Sequence, residues 1–326
     1  MTTASRPKSE TEDSPAPLTQ GWHVADGHEV YYETIGSPDG LPAVFLHGGP
    51  GSGCQPGHRA LFDPALFQAV LIDQRGAGRS RPAGAREANT TQTLIADMEA
   101  IRAALGFEKW LVVGGSWGAT LALAYAQRHP ERVSGLVLRS VFLGTRAELD
   151  WAFGTALATF YPELYRDFLS LLPPEDRHDP LAAYWEHILR DDKIGRVPFI
   201  RAWHDVERVL SSHTPLSDRL DMQAIHNVDS PLPSTPEIES HFFSNGCFLT
   251  PTQLLDDTHR LAGVPGIVLQ SRYDLLCPPA TSSLLASRWR DAKVRIIGAA
   301  GHSMSESPVQ KALAAAIVEA TTWADP

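Results

Sequence analysis

The segment Gly114-Gly115-Ser116-Trp117-Gly118 constrains the fold more than any other part of the chain. It follows an apolar run, Leu111-Val112-Val113, and leads into Ala119-Thr120-Leu121-Ala122-Leu123-Ala124, a helix-forming stretch closed by Pro130. A strand that becomes a helix within one residue brings two backbones close together, so small residues must flank the turn. The residue at the apex is held at the edge of a sheet, and the helix N-terminus behind it favours developing negative charge. This setting predicts Ser116 as a nucleophile. The pattern G-x-S-x-G is too short to carry that reading by itself, and the strand before it and helix after it supply the rest.

The same order of apolar run and polar loop recurs along the chain. Ala43-Val44-Phe45-Leu46 precedes His47-Gly48-Gly49-Pro50-Gly51, and residues 68–72 precede Asp73-Gln74-Arg75-Gly76. Residues 133–141, 264–270 and 293–297 are further runs of this kind, and residues 27–36 form a hairpin-type strand. Leu94, Ile95, Met98, Ile101 and Leu105 repeat with a helical period. Strands apolar on both faces that alternate with helices mean a mostly parallel central sheet flanked by helices, an α/β class. The alternation stops after Val141 and resumes near Val264. Residues 144–255 are therefore predicted to be a helical cap inserted into a core domain built from 21–143 and 256–326. Residues 1–20, rich in Ser, Thr, Pro and Glu, are predicted to be a disordered tail.

Composition excludes several function classes. A formal net charge of -10 with no local cluster of Lys and Arg argues against a nucleic-acid surface. No apolar stretch is long enough to span a membrane, and the N-terminus lacks the basic and apolar regions of a secretory signal. Cys54, Cys247 and Cys277 are odd in number and not in CxxC spacing. They suit neither a disulfide framework nor a zinc site, so a reducing cytoplasm is the expected compartment.

A serine hydroxyl needs a base, and the base needs an acid to hold its tautomer. His302 follows the run 293–297 and Asp274 follows the run 266–270, so both leave the carboxyl ends of strands, where open α/β sheets build their sites. The order Ser116, Asp274, His302 is that of an α/β-hydrolase triad. Asp256 and Asp257 are rival acids, but they lie in a helical patch before the strand. The Trp117 N–H and one from the His47–Gly51 loop are positioned to form an oxyanion hole. Such a triad calls for no metal and no organic cofactor.

Phe45 to Gly51, Asp73 to Ser80, Gly114 to Val133, Leu136 to Leu143, Ser271 to Pro279 and Gly298 to Ser303 together resemble the proline iminopeptidases (prolyl aminopeptidases), an α/β-hydrolase family. The likeness covers nearly the whole chain after residue 20. It implies a serine exopeptidase that releases N-terminal proline through an acyl-enzyme, with Ser116, Asp274 and His302 as the triad. It also implies the Gly49 and Trp117 amides as oxyanion donors and a helical cap. Glu207 and Glu239 resemble the cap glutamates that hold the substrate's free α-amino group, and Phe142 resembles the aromatic that lines the proline pocket. Solvated helix glutamates and a core phenylalanine are the ordinary alternatives for these three.

Val206, Ser271 and the segment Trp151-Ala152-Phe153-Gly154 depart from that family's pattern. Smaller side chains there predict an enlarged or reshaped pocket. An esterase, lactonase or amidase acting on a non-peptide metabolite is the alternative activity on the same triad. Asp73 and Arg75 are expected to brace their loop rather than react, and Cys277 to lie beside the site without serving as nucleophile.

Overall fold

The computed structural model describes residues 15–215 and 217–323. Eight strands form one sheet in the order β1-β2-β4-β3-β5-β6-β7-β8. They are β1 (Thr19–Ala25), β2 (His28–Gly36), β3 (Leu41–Leu46), β4 (Phe67–Ile72), β5 (Trp110–Ser116), β6 (Val133–Val141), β7 (Gly266–Ser271) and β8 (Ala292–Ile297). The pairs β1–β2 and β2–β4 are antiparallel, and every pair from β4 through β3 to β8 is parallel. The mostly parallel sheet expected from the apolar runs is therefore present.

Successive side chains point to opposite faces of a strand, and both faces here are apolar. Val44, Leu46, Val112, Leu136 and Leu138 join one core with the helices Thr91–Ala104 and Trp117–Arg128. Ala43, Phe45, Leu111, Val113 and Val137 join the other with the C-terminal helix Ser307–Glu319. The helix Thr91–Ala104 starts at Thr90, whose hydroxyl accepts the Thr93 N–H at 3.2 Å. Its buried stripe is Leu94, Ile95, Met98 and Ile101. Such an N-cap is worth about 1 kcal/mol.

Between β6 and β7 the described residues form helices and no strand, from Arg146 to Leu261. Arg146–Asp150 passes into a wide π-type turn, Trp151–Ala156, and the longest helix of the segment is Val197–Ser211. That helix buries Phe199, Ile200, Trp203, Val206 and Leu210, a spacing that holds one face inward. Trp203 stacks on Phe153 with ring centroids 4.2 Å apart, and Phe168 on Tyr184 at 3.8 Å.

Two expectations need adjustment. Residues 1–14 of the expected tail lie outside the described residues, while Thr19 and Gln20 belong to β1. The run Thr19–Ala25 pairs along its whole length with β2. Its side chains, Trp22 and Val24 among them, stay exposed or half-buried at the sheet's edge, and backbone pairing replaces the apolar burial that marks the inner strands.

Candidate active site

The parallel strands end along one edge of the sheet, and the loops that leave them converge there. Ser116 closes β5 with φ 57° and ψ -125°, a strained backbone for a residue with a Cβ. The turn tolerates this because its neighbours are glycines. A Cβ on Gly114 would meet the Gly118 carbonyl oxygen at 2.3 Å, and one on Gly118 would meet the Leu46 oxygen at 2.2 Å. Any larger side chain at either position would push β5, its helix and β3 apart.

Asp274 and His302 come together across the ends of β7 and β8. His302 Nδ1 lies 2.9 and 3.0 Å from the two Asp274 carboxylate oxygens. The Cys277 and Leu276 N–H groups donate to Asp274 Oδ1 at 2.8 and 3.1 Å. Burial pushes the Asp274 carboxyl up, but the His302 charge, its hydrogen bond and the Cys277 amide outweigh burial, and its pKa falls below the ordinary value. The loop that carries His302 is anchored three times. The Ser303 N–H donates to the Ser211 carbonyl at 2.8 Å, the Gly301 N–H to Glu306 at 3.0 Å, and Arg139 to the His302 carbonyl. Ser116 and His302 line one cavity of about 340 Å³. No hydrogen bond joins their side chains among the described residues.

Of the residues expected to form an oxyanion hole, Gly49 lines the cavity with Ser116, and Trp117 follows Ser116 in the chain. Trp117 is the first residue of its helix, so its N–H has no partner within the helix. Gly49 takes φ 102°, where a Cβ would lie 2.7 Å from the Gly51 nitrogen. Gln74 links the two loops, a role its sequence did not reveal. Its side-chain amide donates to the His47 carbonyl at 3.0 Å and accepts the Trp117 indole N–H at 2.8 Å. The Gln74 backbone N–H donates to His47 Nε2 at 3.0 Å, so Nδ1 holds the proton and donates to the Gly48 carbonyl at 2.9 Å. Burial lowers the His47 pKa and keeps that ring neutral.

Asp73 and Arg75 brace their loop. Asp73 accepts from the Cys54 and Arg79 backbone N–H groups at 2.7 and 2.8 Å, and Arg75 forms a two-point ion pair with Asp97 at 2.7 Å. Neither side chain lines the cavity.

Glu207 and Glu239 approach each other from the helices Val197–Ser211 and Thr235–Ser244. Glu239 is fully buried, and Glu207, partly buried, lines the cavity that holds Ser116. Burial raises the Glu239 pKa well above the ordinary value and the Glu207 charge raises it further, while the Trp203 indole N–H donates to Glu239 Oε2 at 2.8 Å and opposes this. Burial also raises Glu207, and the His302 charge counteracts it. Two such carboxyls share a proton until a cation arrives. The solvated-surface alternative does not apply to this pair.

A second, small pocket of about 30 Å³ opens beside Ser116, lined by Phe142, Leu149, Phe153, Phe243, Glu207 and Cys277 among others. Phe142 is thus a lining residue. Ala152 and Phe153 of the departing segment line it too, with Phe243 beside them. Val206 and Ser271 are fully buried and line neither space. Glu148 at the pocket's rim is a capping residue, accepting the Leu143 N–H at 2.9 Å and the Thr145 hydroxyl at 2.7 Å.

Among the described residues, one group of three metal-type donors lies within ligand reach, Asp274, Cys277 and His302, with donor atoms within 4.8 Å of one another. Asp274 and His302 are already bonded to each other, and burial pushes the Cys277 thiol well above its ordinary pKa, so this group suits proton chemistry rather than a resident ion.

A family model described as the alpha/beta hydrolase fold matches residues 42–307. The proline iminopeptidase of Xylella fastidiosa is 42% identical over 284 residues, which cover 87% of this chain and 90% of that protein. The proline iminopeptidase of Arabidopsis thaliana is 39% identical over 297 residues, 90% of this chain and 77% of that one. Among solved structures, the Mycobacterium smegmatis proline iminopeptidase superposes with a TM-score of 0.63 at 20% identity, covering 94% of this chain and all 100% of that one. That last likeness speaks for the fold alone.

Proposed function

The chain belongs to the proline iminopeptidase family of α/β-hydrolases, and from that premise we propose that it releases N-terminal proline from peptides through an acyl-enzyme on Ser116. The observation that carries this reading is the Glu207–Glu239 pair, with Glu239 fully buried and Glu207 lining the cavity of the candidate nucleophile. A neutral ester or lactone gives two buried carboxyls nothing to bind. The ammonium of a free N-terminus satisfies both, and it sets the scissile bond one residue away.

In this scheme the helical stretch 144–255 acts as a cap. The proline ring enters the small pocket beside Phe142, and its ammonium displaces the proton shared by Glu207 and Glu239. His302 takes the Ser116 proton as the hydroxyl attacks the carbonyl, and Asp274 stays ionised and stabilises the imidazolium. The Ser116–His302 hydrogen bond closes as substrate binds. The Gly49 and Trp117 N–H groups receive the oxyanion. His302 then protonates the leaving amine, and water, activated by the same ring, frees proline from Ser116.

No helix of the described residues is long and apolar enough to cross a membrane. The three free, buried cysteines support a reducing, cytoplasmic setting.

The test is a substrate panel run on the parent enzyme and on Ser116→Ala, Glu207→Gln and Glu239→Gln. Prolyl arylamide hydrolysis should vanish in Ser116→Ala and fall steeply in both Gln variants, while hydrolysis of a simple aryl ester persists in the latter. A parallel loss of ester hydrolysis in the Gln variants would assign the glutamates to the fold and not to the amine.

A further inference from the structure

The cavity above Ser116 has a second charged end. Besides Glu207, its described lining residues include two arginines, Arg139 and Arg208. Arg139 is buried and bonded to the His302 carbonyl and the Ser140 hydroxyl. Arg208 is different. Its Nε makes one long bond of 3.4 Å to Asp205, and its two terminal nitrogens donate to no group among the described residues. The exposed arginines Arg219 and Arg295 each place two guanidinium nitrogens on one carboxylate, whereas Arg260, like Arg208, makes a single bond, at 3.3 Å, but lines no part of this cavity. Arg208 lines the cavity with its terminal nitrogens unengaged among the described residues.

Its place on the helix gives that face a role. Ser211, one turn further on, accepts the Ser303 N–H at 2.8 Å and so holds the residue next to His302. The amine that leaves the tetrahedral intermediate must face His302, which protonates it. The chain beyond the scissile bond therefore runs along the wall formed by Ser211, Ser303 and Arg208. In a dipeptide the terminal carboxylate sits two bonds from that amine, within reach of a side chain on this wall. Each added residue carries it about 3.5 Å further out.

We propose that Arg208 is a specificity residue that binds the terminal carboxylate of the leaving residue, so that the preferred substrates are prolyl dipeptides with a free acid. This rests on the aminopeptidase reading above and names its substrate class. Glu207 and Arg208, neighbours in one helix, then grip opposite ends of a zwitterion.

The test compares kcat/KM for Pro-Ala, Pro-Ala amide and Pro-Ala-Ala in the parent enzyme, Arg208→Gln and Arg208→Lys. A partly exposed ion pair is worth up to about 1 kcal/mol, or about fivefold. The parent should favour Pro-Ala over its amide by about that factor, Arg208→Gln should bring the ratio to about one, and Arg208→Lys should restore part of it. Pro-Ala-Ala should behave like the amide. Equal ratios in the parent and Arg208→Gln overturn the role of Arg208 while leaving the aminopeptidase intact. Failure of the parent and both variants to release proline from any of these substrates removes the activity itself and the proposal with it.

Discussion

Replacing Glu239 with glutamine should make the protein more stable and less active, and the gain should depend on pH in a defined way. Glutamine has the same shape. Its carbonyl can still accept the Trp203 indole N–H that now reaches Glu239 at 2.8 Å, and its amide can donate to Glu207 without a titrating proton. Burial and the Glu207 charge hold the Glu239 pKa well above the ordinary carboxyl value in the folded state. Between the ordinary value of about 4.3 and the raised folded value, the native state binds a proton that the unfolded chain has released. Stability therefore falls as pH rises through that window and levels off above it. The variant lacks this loss. Relief of a buried, poorly compensated charge is worth about 1–2 kcal/mol, which for a chain of this size raises Tm by about 1.5–3 °C. Urea and thermal unfolding at about pH 8 and about pH 4 measure the difference. Glu239→Gln should exceed the parent at the higher pH and match it at the lower, where both states of the parent are protonated. A variant less stable than the parent at about pH 8, or an identical difference at both pH values, would refute the electrostatic account of this pair.

Three further outcomes follow from the same geometry. Gln74→Leu leaves the His47 carbonyl and the Trp117 indole N–H unpaired, at about 1–3 kcal/mol for each buried group, and loosens both oxyanion loops. Denaturant titration should show the destabilisation, and kinetics a kcat lowered by about tenfold with KM little changed; a destabilised variant with parental kcat would contradict the bracing role. The kcat/KM of a prolyl arylamide should reach its plateau at higher pH than that of an aryl ester, because carboxyls whose pKa values burial has raised must shed their proton to hold an ammonium; coincident acid limbs would contradict this. Cys277→Ala should keep turnover within about threefold of the parent, since burial holds that thiol protonated, yet it should lose sensitivity to bulky thiol reagents.

The sheet was legible because its strands are buried on both faces. Runs such as Leu111–Val113 and Gly266–Gln270 have no polar phase and so declare themselves. β1 was not, since Thr19–Ala25 is an edge strand marked by backbone pairing. The placement of Ser116, Asp274 and His302 at one edge of the sheet was legible because each lies within a few residues after an apolar run. The Gln74 bridge and the Trp203–Glu239 bond were not. The Gln74–Trp117 contact joins residues 43 positions apart and the Trp203–Glu239 contact residues 36 apart, and neither residue type carries a local signal for its partner. Phe243 was not legible as a pocket residue for the same reason, since it lies far in sequence from Phe142 and Phe153, with which it lines the pocket.

The central claim is that a buried carboxylate pair makes this triad act only beside a free N-terminal amine. The direct measurement is kcat/KM of the parent enzyme for a prolyl arylamide and for its N-acetylated counterpart. The account predicts that acetylation lowers kcat/KM by about a hundredfold or more, the loss of a charged partner to two buried carboxyls. Equal turnover of the two substrates would contradict it.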